Sequence, residues 1–226
     1  MPAASRVAPC DGSAEQLCPG PGVRTDLDDE SWVDYRPGWL GDPGELFAEL
    51  RDELEWQQES ISMFGRARRQ PRLTAWIGER GFSASSRYAA ATAAAPWPDR
   101  LASLRGYLVA TYEMEPDTAL ANLYRDGSDS VGWHADDEAY LGCDPLIASL
   151  SLGGARRFVL RPRPDGPSAG RPRLELLLGD GDLLVMGGAT QHRWLHGVPK
   201  SARPAGPRIN VTLRRAVDRP SARAER

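Results

Sequence analysis

Arg208-Ile209-Asn210-Val211-Thr212-Leu213-Arg214 alternates polar and apolar side chains through its whole length. Successive side chains of a strand point to opposite faces. Ile209, Val211 and Leu213 would therefore form one apolar face, and Arg208, Asn210, Thr212 and Arg214 the other. Alone, the segment reads as a half-exposed edge strand with solvated arginines. Its surroundings argue otherwise. Short strands are predicted upstream, near residues 119–125, 130–136, 146–153, 156–162, 173–178, 182–187 and 190–198, and the quoted strand closes the set at 207–215. Gly, Asp and Pro separate several of them, as in Gly179-Asp180-Gly181-Asp182. Eight short strands in roughly 100 residues predict a double-stranded β-helix, or jelly roll, with room for a small ligand between its sheets.

Helices are expected to flank this core, giving a mainly β fold with an α-helical margin. Asp42-Pro43-Gly44-Glu45 reads as a helix start, with Asp42 as the cap, proline in the first position and Glu45 completing a capping box. Leu46, Phe47, Leu50 and Leu54 continue at helical spacing. A second helix is predicted from Pro96 to about Glu113 through Leu101, Leu104, Leu108 and Tyr112, and Leu73 to Ile77 reads as a strand. The small-residue run from Ser83 to Ala95 has no clear periodicity. Residues 1–30 hold Pro, Gly, Ser and acids with few large apolar groups, so they are expected to stay flexible, as is the tail 218–226. The expected domain is 31–217, with its jelly-roll core at about 119–217.

With 226 residues, 41% hydrophobic and 26% charged, the chain suits one globular domain with a large core. No stretch approaches the roughly 20 apolar residues of a membrane span, and the N-terminus lacks an apolar signal core. Cys10, Cys18 and Cys143 form no C-x-x-C pair, so neither a disulfide framework nor a structural zinc site is expected, and a reducing, cytoplasmic setting is. The chain is expected to be a monomer. The net charge of −3 conceals a split: residues 1–60 carry 14 acids and 4 bases, while residues 61–226 carry 17 acids and 24 bases. A basic body around a pocket suits a polyanion or a small dicarboxylate. Met63-Phe64-Gly65-Arg66-Ala67-Arg68-Arg69-Gln70-Pro71-Arg72 is its densest basic run, readable either as a phosphate-backbone contact or as a solvated loop.

Chemistry concentrates in Trp133-His134-Ala135-Asp136-Asp137-Glu138. In extended chain His134 and Asp136 point the same way and can grip one metal ion, while Ala135 turns away. A third ligand must come from His192 or His196, the only other histidines. Two histidines and a carboxylate on one side of a metal leave open positions opposite, as in non-haem Fe(II) oxygenases. Taken alone, an H-x-D is common and reads first as a surface turn holding one polar histidine.

Asn122-Leu123-Tyr124-Arg125-Asp126-Gly127, His134-Ala135-Asp136-Asp137-Glu138, Trp194-Leu195-His196-Gly197-Val198-Pro199 and Arg208-x-Asn210-x-Thr212-x-Arg214 occur in one order. Together with Pro71-Arg72-Leu73-Thr74-Ala75-Trp76 they closely resemble the AlkB family of Fe(II)- and 2-oxoglutarate-dependent dioxygenases. The branch of eukaryotic AlkB homologues two and three is the most similar. The resemblance covers about residues 60–217. It implies that His134, Asp136 and His196 bind iron, with His192 a structural or solvent-facing neighbour. It further implies that Asn122, Tyr124, Arg208, Asn210 and Arg214 hold 2-oxoglutarate, Arg208 at the distal carboxylate and Arg214 supporting the end at the iron. Glu138 matches the position that reads the edge of the damaged base.

The implied reaction is oxidative dealkylation of N-alkylated bases in DNA or RNA with Fe(II), 2-oxoglutarate and O2, the methyl carbon leaving as formaldehyde. A base attacked this way leaves its stack, so an aromatic clamp is expected. The family usually has two aromatics two residues apart after the Pro-Arg strand; this chain has Phe82-Ser83-Ala84. Phe82 keeps one ring, and Tyr88 or Trp133 are candidates for the other. Arg66, Arg68 and Arg69, with Arg72, are the candidate backbone contacts. Loss of one ring leaves open a second reading: a 2-oxoglutarate-dependent hydroxylase or demethylase of a protein or small molecule.

Overall fold

The computed structural model describes residues 22–63, 66–78 and 94–216. In chain order these form β1 (Val23–Asp26), β2 (Ser31–Arg36), α1 (Pro43–Glu53), β3 (Ser60–Met63), β4 (Arg66–Arg69), β5 (Leu73–Gly78), α2 (Asp99–Tyr112) and β6 (Thr118–Tyr124). There follow β7 (Val131–His134), β8 (Ile147–Gly153), β9 (Arg156–Pro162), β10 (Leu174–Leu178), β11 (Leu183–Gly188), α3 (Thr190–Arg193), β12 (Trp194–Val198) and β13 (Arg208–Arg214). One sheet runs β1-β2-β11-β8-β13-β6-β5 and a second β10-β9-β12-β7, with β3-β4 a separate hairpin. From β6 onward the chain crosses repeatedly between the two sheets. The quartet β11-β8-β13-β6 therefore faces β10-β9-β12-β7, which is the expected jelly roll.

The alternation in β13 has a different cause from an exposed edge. Strands β6 and β8 pair with it on either side, and every one of its residues is buried. Ile209, Val211 and Leu213 meet a helical layer supplied by Leu46 and Leu50 of α1 and Leu101, Leu104 and Leu108 of α2. Burying a leucine contributes about 1.5–3 kcal/mol, so these five supply on the order of 10 kcal/mol. That contribution fixes two helices too short to be stable alone in water. The opposite face of the large sheet gives Tyr124, Ile147, Leu184 and Met186 to a second core, shared with Phe158, Leu160 and Trp194 of the small sheet. Beside that core lies the polar half of β13. Its arginines are buried, not solvated.

Four local expectations change. Residues 22–30 do not stay flexible: β1 and β2 form a hairpin that extends the large sheet. Its turn is tied down by the buried Asp28 carboxylate, which accepts the Glu30 and Ser31 amides at 3.0 and 2.8 Å and the Trp194 indole N–H at 2.7 Å. Composition cannot show such a tie. Asp42 precedes α1 but makes no side-chain cap bond. Residues 190–193 are a helical turn, not strand. The basic run is a hairpin, with Arg68 and Arg69 exposed on β4. Gly188 explains how β2 comes close at the site end of β11: its φ is +60°, and a Cβ there would lie 2.0 Å from the Glu30 carbonyl oxygen. Among the described residues no helix is long and apolar enough to cross a membrane.

Candidate active site

Antiparallel pairing of β7 with β12 sets His134 directly opposite His196, with their rings 4.3 Å apart. Both project into the barrel. The chain continues past β7 to Asp136, whose amide donates to the buried Gln191 side-chain oxygen at 3.0 Å. One ligand atom from each of His134, Asp136 and His196 lies within 4.8 Å of the others, and His196 Nε2 is 3.7 Å from Asp136 Oδ2. His134 Nδ1 donates to the Gly132 carbonyl at 2.9 Å, which leaves Nε2 free for a metal.

The protonation states suit ligation. Burial opposes a charge on Asp136, but the neighbouring Arg214 guanidinium, with His196, His134 and Arg72, holds its carboxyl below the usual range. Burial, then the proximity of His134, pushes His196 down to about 3. A neutral imidazole and an ionised carboxylate are the ligating forms. Two lone pairs facing each other without a proton between them are the counterpart of a cation.

The interior face of β13 supplies the second half of the site. Arg208 is 1% exposed and Arg214 3%. Arg214 Nη2 donates to Asp136 at 2.7 Å, and Arg208 Nη2 donates to Ser151 at 2.5 Å and Asn210 at 2.9 Å. Nε and Nη1 of both arginines are buried without a partner. Burial pushes the Arg208 pKa down, yet an arginine remains charged at neutral pH. Unpaired buried guanidinium donors are costly unless an anion meets them. The donor set therefore fits a diacid between β13 and the metal ligands, in a cavity of about 100 Å³.

Asn122, Tyr124, Glu138, Asn210 and Arg214 line that cavity together with the three metal-ligand candidates, and Arg208 adjoins it through Asn210. His192 is not part of it: its Nε2 meets the Cys143 carbonyl. Trp133 is not either. As the immediate neighbour of His134 on a strand it points to the outer face of the small sheet, where it is 42% exposed, so it cannot clamp a base inside the barrel. Arg68 and Arg69 lie on the outer hairpin; Phe82 and Tyr88 are outside the described residues, as is the side chain of Arg66. Arg72 belongs inside, 9% exposed, and its Nε donates to Asn122 at 2.7 Å. It stands two residues before Thr74, which pairs with Asn122 across the sheet. Gln191, fully buried, left no signal in the sequence.

Fold and site define a class: a jelly-roll protein built to hold one metal ion and a small diacid against it. A family model described as the 2OG-Fe(II) oxygenase superfamily matches residues 37–214. The alpha-ketoglutarate-dependent dioxygenase alkB homolog 3 of Bos taurus is 37% identical over 79% of this chain and 64% of its own. The DNA oxidative demethylase ALKBH2 of Arabidopsis thaliana is 36% identical over 82% and 64%, and that of Homo sapiens 32% over 76% and 68%. A solved structure, that of OsALKBH1, aligns with 85% of this chain and 100% of its own at a TM-score of 0.55 and 16% identity, a likeness of fold. The chain belongs to the 2OG-Fe(II) oxygenase superfamily and, within it, to the AlkB family. It spans 60–65% of the length of the first curated relatives it matches.

Proposed function

We propose that this protein removes methyl groups oxidatively from N-methylated bases of a nucleic acid. One observation carries the proposal: three ligand atoms within 4.8 Å of one another lie beside two buried arginines whose donors await an anion. His134, Asp136 and His196 would hold Fe(II), and Arg208, Asn210, Asn122 and Tyr124 would receive 2-oxoglutarate, Arg208 at the far carboxylate. Bound there, iron with 2-oxoglutarate and O2 supplies the oxidation of N-methyl to N-hydroxymethyl, with succinate, CO2 and then formaldehyde as co-products.

The chain's own work is positional. Arg214 keeps Asp136 ionised and oriented; Gln191 fixes the backbone that carries it. Glu138 lines the cavity half-buried, one oxygen unpartnered and its pKa raised by burial, and is placed to accept from or donate to the edge of a base. Nucleic acid as the substrate is favoured by the relatives' printed activity and by the basic hairpin β3-β4. The test is mass spectrometry of methylated oligonucleotides incubated with iron, ascorbate and 2-oxoglutarate. Loss of one methylene per lesion is the expected result. Succinate release without any demethylated strand would move the substrate to a protein or small molecule.

A further inference from the structure

On the far side of the barrel wall from His134, the outer face of the small sheet carries a groove of about 320 Å³ that the proposed chemistry does not use. Ser130, Trp133, Arg157, Arg173 and Lys200 line it. Trp133 is the largest exposed aromatic among the described residues. The Arg161 guanidinium sits over its ring at 4.4 Å and that of Arg173 at 5.9 Å. Arg157 pairs with Glu175, but neither Arg173 nor Lys200 has a carboxylate partner among the described residues. The groove adjoins the site through Val131 of β7 and Val198 of β12, which line both it and the cavity inside the barrel.

We infer that this groove is a platform for a single-stranded stretch of the nucleic acid flanking the target base. Trp133 stacks on a nucleobase, and Arg173 and Lys200 meet the phosphates beside it. The inference rests on the reading of the substrate as nucleic acid. Its grounds are charge complementarity and the pairing of an exposed indole with guanidinium groups, the two elements by which single strands are held without regard to sequence. A strand seated there enters the barrel within a few residues of Trp133, so the platform selects substrates long enough to reach both places.

The experiment is anisotropy of a labelled, unmodified single strand of about 12 nucleotides, titrated with the full chain at several salt concentrations. Trp133→Ala weakens binding roughly 5- to 100-fold, and Trp133→Phe restores most of it. The double variant Arg173→Ala/Lys200→Ala lowers the slope of log affinity against log salt by about 1–1.5. It leaves turnover of a methylated trinucleotide, too short to span, unchanged. Arg24→Glu, the same change of net charge placed on β1, has no effect. Parental affinity and salt slope in the groove variants would overturn the platform, as would equal weakening by Arg24→Glu. Should the parent still demethylate the trinucleotide, the proposed function survives that failure. No turnover of any methylated strand overturns both.

Discussion

Replacing Arg208 by methionine separates a cosubstrate anchor from a structural strut, because the two roles change stability in opposite directions. The guanidinium is buried, its Nη2 bonds neutral Ser151 and Asn210, the Tyr124 ring lies 5.2 Å from it, and no carboxylate meets its Nε or Nη1 among the described residues. If the distal carboxylate of 2-oxoglutarate meets those nitrogens, truncation removes a buried charge-assisted pair worth about 2–5 kcal/mol. At 1.4 kcal/mol per tenfold, the 2-oxoglutarate requirement rises roughly 30- to 4,000-fold. The ligand-free chain should respond the other way. Methionine fills similar space without an unpaired charge, so about 1–3 kcal/mol is gained, raising Tm by ~2–12 °C. Thermal melts with and without 2-oxoglutarate, beside succinate release over a 2-oxoglutarate titration, read both quantities. A ligand-free Tm several degrees lower with an unchanged 2-oxoglutarate requirement would refute the reasoning and make Arg208 a strut.

The metal ligands are unequal in the same way. His134→Ala should abolish iron binding and turnover with Tm nearly unchanged, whereas Asp136→Ala should also strand the buried Arg214 charge, costing about 3–5 kcal/mol or ~6–20 °C in Tm; equal melts for the two would contradict the pairing at 2.7 Å. Gln191→Leu should weaken iron binding about 10- to 100-fold by freeing the Asp136 amide, as read by competition with a chelator; parental affinity would remove its role. Asp28→Ala should cost about 2–4 kcal/mol at pH 7, since the carboxylate serves the Trp194 indole, Ser168 and two backbone amides. Burial opposes the charge on Asp28, but those hydrogen bonds hold its pKa well below the usual carboxylate range. Its stabilisation is therefore full above the unfolded-state pKa of about 3.9 and is lost as pH falls below that. Urea midpoints of parent and variant should converge toward acid pH; a constant gap from pH 7 to 3 would show that the charge is not the cause.

Much of this was written in local pattern. The strands from β6 to β13 are short runs, several with Gly, Asp or Pro between them, and β13 alternates through its whole length, so residue order alone exposes them. The leucines of α1 and α2 repeat at the helical period. His134-x-Asp136 was legible because period two is a property of any extended chain. What escaped was fixed by partners far away in the chain. Asp28 orders the β1–β2 turn through Trp194, 166 residues on, and Gln191 reaches Asp136 across 55 residues. Arg72 looked like part of a basic surface run, because sequence cannot tell a solvated arginine from one enclosed by the strand it starts. Trp133 teaches the converse. The parity that turned His134 and Asp136 inward already turned their neighbour outward, so its position outside the barrel was readable before any coordinates.

Anaerobic titration of the chain with Fe(II) and 2-oxoglutarate, followed by visible absorption, bears most directly on whether the three ligands and the diacid share one centre. A charge-transfer band that needs both components and saturates at one iron per chain is the predicted result, with no band in His134→Ala or Asp136→Ala. A band that persists in those variants, or iron that binds without one when 2-oxoglutarate is present in excess, would contradict the site.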